Sequence, residues 1–462
     1  MNKLLKLSAI AAAIAASGAA YADPAETKGG IKVKTEDGRF EANLGGRIHF
    51  DANLIKEDKQ PFNGITPKGT ANSGFFFRRI YLTVTGKAYG WKYKIEPDFA
   101  PGNANGATSI AFQDVFLATD LGPGEIQLGQ RKPFRAMEDL TSSNDLLMIE
   151  RPFASSSGGM FKGGTGASSS ATTSVTNAGG SCVTATPCTG SVTTTTVTAA
   201  NDREFQQGVF YHGNGDNYTW GLSVHSLRRD NTAGSEGIGE SARVTFAPIL
   251  SEGSVIHLGL SYSGENPANN QGASSSTSTV ALGAGGFAYG GRRGPTFNLG
   301  STTGKVDTIG LEYANVFGPF FAQAEYMTQK EKVGTTAPIN AKSQTVNAFY
   351  VQGSFFLTGE TKPYKNKDGV FGSAKPINDF GAVELTARYD MAKNKDFPGA
   401  SGTSCSAAGA DKCQVSAITV GTNYYFNPNV RFMVNYIMGT ADQGAGGKDK
   451  PKTLAARFQM NW

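Results

Sequence analysis

The chain has 462 residues and a formal net charge of +5, with no polybasic run, so its charge gives no reason to expect nucleic acid as a partner. After the N-terminal segment no stretch approaches the roughly 18 uninterrupted apolar residues of a spanning helix, which excludes an α-helical membrane protein. A mean hydropathy of −0.28 does not exclude a membrane β-barrel, because lumen-facing and lipid-facing residues alternate and cancel in the average.

In chain order, Lys3 and Lys6 precede an apolar run from Leu7 to Ala20, and Ala20-Tyr21-Ala22 is a small-x-small cleavage site. Residues 1–22 are therefore expected to be an export signal, with the mature chain starting at Asp23. Residues 23–38 read as a periplasmic entry segment, with a small hairpin over Thr27–Asn43 turned at Asp37-Gly38. From residue 39 onward, period-two alternation marks sixteen strands. They fall near 39–53, 75–86, 91–100, 110–120, 124–132, 203–212, 217–229, 238–248, 254–264, 304–315, 319–330, 344–357, 380–392, 413–426, 429–440 and 450–462. Short connections alternate with long ones, as an even-stranded barrel requires, with tight periplasmic turns at one rim and longer outer loops at the other. The expected fold is all-β: a sixteen-stranded antiparallel transmembrane β-barrel over 39–462.

Two regions break the rhythm. About 155–200 is a Ser/Thr/Gly/Ala tract, read as a surface insertion in the third outer loop. Leu357–Asp379 is the one long connection at a periplasmic turn, and its Lys, Pro and Gly suggest an ordered cap rather than a strand. The last strand alternates Leu454, Ala456, Phe458, Met460 and Trp462 against Thr453, Arg457, Gln459 and Asn461, and reads as the sealing strand. Trp91, Trp220 and Trp462 are all expected at the periplasmic rim, where amphipathic rings favour the headgroup layer.

Strand parity sorts the charges. Arg47, Arg79, Lys92, Lys94, Arg131, Arg229, Arg243, Arg388, Arg431 and Arg457 share the inward parity, and so do Glu96, Asp98, Asp114, Glu125, Glu325, Glu384 and Asp390. A charge facing lipid at mid-depth costs about 2–4 kcal/mol, which makes the inward assignment strong. Arg78 has the wrong parity, so either it sits at the outer interface or a bulge turns it in. Arg47, Arg79, Lys92, Lys94 and Arg131 are expected on one wall, where guanidinium forks suit oxyanions and weak multi-site binding would pass anions along. The competing reading is that these side chains pair with the carboxylates and fill a wet interior.

Cys182, Cys188, Cys405 and Cys413 form two local pairs, and an exported chain permits disulfides; the local pairing is expected because loop closure is cheapest for neighbours. Their spacing does not fit a zinc site, and no cofactor is implied. No G-x-S-x-G elbow or metal-binding histidine pair supports an enzyme.

Several segments resemble the phosphate-selective porin O/P family of outer-membrane channels. They include Gly45-Gly46-Arg47-Ile48, Phe77-Arg78-Arg79-Ile80-Tyr81-Leu82, Leu128-Gly129-Gln130-Arg131, Thr141-Ser142-Ser143, Ile149-Glu150-Arg151, Phe321-Ala322-Gln323-Ala324-Glu325-Tyr326 and Glu384-Leu385-Thr386-Ala387-Arg388-Tyr389-Asp390. The resemblance implies a homotrimer of sixteen-stranded barrels in the bacterial outer membrane, touching bilayer and lipopolysaccharide, each with an in-folded third loop and an arginine-lined path. It places Arg47, Arg78, Arg79, Asp114, Arg131, Arg151 and Arg243 at pore or constriction positions, and Arg292 and Arg293 in a basic vestibule. It implies passive diffusion of small inorganic anions such as phosphate or pyrophosphate. The residue after Glu138, a lysine in phosphate-specific members, is Asp139 here. An acid there repels phosphate, so a general or cation-preferring porin is the alternative.

Overall fold

The computed structural model describes residues 31–56, 73–100, 110–155, 204–227, 237–266, 305–332, 343–396, 411–442 and 444–462, with short backbone ladders at 174–175/190–191 and 276–281/296–302. The expected signal segment, most of the 155–200 insert, and Cys182, Cys188, Arg229, Arg292, Arg293 and Cys405 lie outside the described residues. Cys413 is buried and disulfide-bonded.

Sixteen antiparallel strands close into a barrel. They are β1 (Phe40–Lys56), β2 (Gly74–Ala88), β3 (Trp91–Asp98), β4 (Ala111–Leu121), β5 (Gly124–Arg131), β6 (Gln206–Asn214), β7 (Tyr218–Ser226) and β8 (Ile238–Ser251). They continue with β9 (Ser254–Asn266), β10 (Val306–Phe317), β11 (Phe320–Glu331), β12 (Gln344–Phe356), β13 (Ala382–Asn394), β14 (Gln414–Asn427), β15 (Val430–Asp442) and β16 (Lys452–Asn461). Each strand pairs with its chain neighbours, and β16 pairs back onto β1 from Arg47↔Asn461 to Lys56↔Lys452. Closure leaves no edge, so every strand backbone has a partner in lipid. A short strand, Ile31–Lys34, pairs with β1 and turns at Gly38 (φ 68°).

The terminal residue seals the seam. The backbone N–H of Gly46 donates to the Trp462 carbonyl at 3.1 Å, and the Trp462 N–H donates to the Gly46 carbonyl at 3.2 Å. A Cβ at Gly46 would collide with the Trp462 ring, so only glycine lets the ring lie flat on β1.

The alternation read from the sequence is the burial pattern of the barrel. In β16, Thr453, Ala455, Arg457 and Gln459 are buried, while Phe458 and Met460 face outward. The β1–β2 register slips between His49/Arg79 and Phe50/Phe77, so Arg78 is the extra residue of a bulge. The bulge turns Arg78 inward beside Arg79, and both are buried.

The lumen is not evenly filled. The segment after β5 folds back into the barrel and carries a short helix, α1 (Met137–Leu140). Its Ala136, Ile149, Phe153 and Ala154 pack on Met327, Val346, Ala348, Tyr350, Val415 and Met433 of the β11–β15 wall. The β12–β13 connector also turns inward. It forms a small hairpin, Tyr364–Lys365 with Val370–Phe371, whose apolar side joins Met137, Leu147, Val255, Val316 and Phe321. The sequence suggests a cap without strands; the connector instead turns into the lumen and carries this short ladder.

Candidate functional site

The in-folded segment is held by the wall behind it. The N–H groups of Met137 and Glu138 donate to the Glu325 carboxylate at 2.7 and 3.0 Å, and the N–H of Ile149 donates to Asn435 Oδ1 at 2.8 Å. The N–H of Phe153 donates to Asp390 Oδ2 at 2.9 Å. Arg388 Nη1 donates to the Glu150 carbonyl at 2.9 Å, and Arg431 Nη1 to the Leu146 carbonyl at 3.1 Å.

Glu150 is the hub. Its carboxylate accepts from Arg78 Nε at 2.5 Å and from Arg457 Nη2 at 3.2 Å. Arg457 also grips Asp51 through Nε at 2.7 Å and Nη2 at 2.8 Å, tying the loop to the β1/β16 seam. Burial opposes the Glu150 charge, but Arg78, Arg79 and Arg457 outweigh it and hold its carboxyl well below the usual range.

The loop leaves open space along the β1–β5 wall. A cavity of about 190 Å³ is lined by Arg47, Arg79, Tyr81, Lys94, Glu96 and Asp114, then by Arg131, Lys132, Leu140, Thr141, Ser142 and Ser143, and lastly by Arg151, Glu204 and Phe205. Six of these side chains are cationic and three are carboxylates. Arg47 reaches Ser143 Oγ at 2.9 Å, Ser142 Oγ at 3.3 Å and Glu96 Oε2 at 3.2 Å. Lys94 donates to Asp114 at 2.6 Å. Arg131 donates to Gln127 Oε1 and lies over the Phe134 ring at 4.5 Å, with no carboxylate at ion-pair distance among the described residues. Arg151 donates through Nε to the Glu138 carbonyl and through Nη2 to the Thr141 carbonyl. Two buried guanidinium nitrogens, Arg47 Nε and Arg151 Nη1, have no hydrogen-bond acceptor among the described residues.

A second cavity of about 210 Å³ shares Lys94, Asp114, Arg131 and Leu140 with the first and runs on to His212, Arg243, Lys367 and Asp368. A third, about 200 Å³, shares Ser142 and leads past Asp145, Lys365 and Arg431 to Pro428 and Asn429 at the short-turn rim.

The structure thus brings Arg47, Arg79, Lys94, Asp114, Arg131 and Arg151 to one cavity. Four other expected site residues lie outside that cavity. Arg78 is spent on Glu150 behind the loop. Lys92 stands nearer the rim, where it pairs with Asp120 at 2.8 Å and Glu125 at 2.7 Å. Arg243 lies in the second cavity, doubly bonded to Glu312 at 2.8 Å and donating to the Gly369 carbonyl of the cap. Asp139 is buried in α1 rather than lining the cavity, and its carbonyl accepts from Lys132 Nζ at 2.7 Å. Sequence reasoning missed Lys132, Glu204, Ser142 and Ser143 as lining groups. Glu204 lies inside the strand expected at 203–212 and has the parity of Gln206 and the inward-facing Phe210, so parity alone would have found it.

A closed sixteen-stranded barrel with an apolar exterior and a charged, narrowed lumen is an outer-membrane porin. The family described as phosphate-selective porin O and P matches residues 43–462, and the chain belongs to it. Porin O of Pseudomonas aeruginosa is 27% identical over 465 residues, covering 94% of this chain and 91% of that protein. The anion-selective porin from Comamonas acidovorans superposes with a TM-score of 0.52 at 13% identity, covering 92% of this chain and all (100%) of that one. The outer membrane channel DcaP of Acinetobacter baumannii gives 0.50 at 12% identity, covering 94% of this chain and 100% of that chain. At such identities the two structures share the fold and say nothing of the solute.

Proposed function

We propose that this porin conducts small inorganic anions passively, with preference over cations, through the cavity bounded by Arg47, Arg79, Lys94, Arg131, Lys132 and Arg151. The observation that carries this reading is the excess of six cationic over three acidic side chains around that one narrow space. Within a low-dielectric wall such an excess lowers the entry barrier for anions and raises it for cations. The unsatisfied donors of Arg47 and Arg151, with the Ser142 and Ser143 hydroxyls nearby, suit an oxyanion such as phosphate or pyrophosphate. The chain's work is passage, not catalysis. Residues 1–22 are the export signal, and the assembly is a homotrimer seated in bilayer and lipopolysaccharide, as the family resemblance implies.

The test is the reversal potential of purified protein in planar bilayers under a KCl gradient. Anion preference at neutral pH is expected; cation preference would overturn the proposal. Competition of phosphate with chloride current then asks whether an oxyanion binds in the path. The second reading, a general or cation-preferring porin, draws on Glu96, Asp114 and Glu204 in the same cavity.

A further inference from the structure

Glu204 stands just before β6 and lines the cavity. Its carboxylate lies 2.7 Å from Lys132 Nζ and 3.4 Å from Arg151 Nη1. Both cations come from the in-folded loop, and both line the cavity proposed for anions. Their other partners are backbone carbonyls: Asp139 for Lys132, and Glu138 and Thr141 for Arg151. Glu204 is therefore the group that supplies negative charge to them from the cavity side. Arg151 Nη1 is at ion-pair distance from it yet makes no hydrogen bond among the described residues, so the carboxylate holds Lys132 firmly and Arg151 loosely. Burial works against the Glu204 charge, but Lys132 and Arg151 outweigh it and keep the carboxyl below its usual range. Lys132 is pulled below its ordinary value by burial and by Arg151, against the pull of Glu204 and Asp139.

We propose that Glu204 is a specificity-determining residue of the constriction: its carboxylate is a tethered occupant of the anion site, holding Lys132 and Arg151 until a solute oxyanion displaces it. This rests on the anion-preferring reading above. The physical reason is residence time. A ring of cations with nothing to oppose it holds a multiply charged oxyanion too long for flux, and conduction needs binding weak enough to release. A carboxylate tethered within reach competes with the solute at high effective concentration and weakens its binding. Its penalty grows with solute charge, because the repulsion scales with the product of the charges.

The experiment measures the half-blocking concentration of phosphate on chloride current for the full chain in planar bilayers, comparing wild type with Glu204→Gln and Glu204→Ala. Both variants are expected to lower it by about tenfold, as removal of one charge close to a bound anion in a partly desolvated site implies. Nitrate, a monovalent probe, is expected to gain distinctly less. An unchanged or weaker phosphate block in whichever variant forms channels would overturn the proposal. So would an equal gain for nitrate and phosphate, which would mark a general loosening of the loop. Wild-type reversal potential separates the two claims: cation preference sinks the underlying reading, whereas anion preference with an unmoved block sinks only the role of Glu204.

Discussion

The two walls of this barrel use the same residue type for opposite ends. On the β12–β16 side and at the Arg78 bulge, arginines are tied to the in-folded loop: Arg78 and Arg457 converge on Glu150, and Arg388 and Arg431 hold backbone carbonyls of the loop. On the β1–β5 side, Arg47, Lys94 and Arg131 line an open cavity. One wall is mortar and the other is surface. The difference lies in what stands opposite. The first wall meets the loop's own carboxylate and carbonyls, and the second meets the cavity, with Arg47 touching the loop only through the Ser142 and Ser143 hydroxyls. Inward parity is thus far from sufficient for a role in conduction.

Changes on the packed wall should have the largest effects. Glu150→Ala takes the Glu150 carboxylate from buried Arg78 and leaves Arg457 with Asp51 alone, and breaking a buried pair from one side costs about 3–5 kcal/mol. The loop should detach, seen as larger, noisier single-channel conductance; an unchanged conductance would mean the loop stays put without its hub. The same hub sets the acid response. Glu150 titrates below its unfolded value, so its contribution is fully present above about pH 4.3 and is lost only as pH falls through the lower folded value. The Glu150 anchor should therefore stay intact and add no conductance step of its own from pH 7 to about pH 4.5; a jump in open size near pH 6 would place the controlling group elsewhere.

Changes on the open wall should alter selectivity and spare the loop. Arg131→Ala and Arg47→Ala are each expected to shift the reversal potential toward cations with single-channel noise unchanged, Arg131 more, since no carboxylate at ion-pair distance offsets it. A shift of equal size from Arg388→Ala would erase the distinction between the walls. Asp139 gives a smaller effect. Its side chain is buried in α1, so Asp139→Lys or Asp139→Asn acts through the field at Lys132 rather than by contact. An increase in phosphate block of about threefold or less is expected, and no increase would disconnect Asp139 from the site. Lys92→Ala should change least. Its pairs with Asp120 and Glu125 lie toward the water-exposed rim, where salt screens them, and a large selectivity shift would show that the rim controls entry.

Strand count, face assignment, the short-turn rim and the sealing role of Trp462 were all legible in the sequence. Alternation of period two is enforced locally by a solvent difference between the two faces, and any ten-residue window records it. Arg78 shows the limit of that reading. Its parity was wrong for the lumen, and only the β1–β2 register decided between an outer-interface arginine and a bulged one. Lys92 and Arg243 had correct parity, but their positions along the barrel axis and their carboxylate partners come from strand stagger, which no single strand encodes.

What the sequence determined by itself is the class of molecule: a chain of alternating strands, long enough to close, with charge on one face, can only be a barrel with a wet inside. The tertiary structure decided which charges meet a solute. A residue's exposure in the lumen depends on whether the in-folded loop lies against it, and that loop is positioned by contacts as distant as Asp51 to Arg457 and Met137 to Glu325. Such contacts are long-range and few, so they leave no periodic trace in the order of residues.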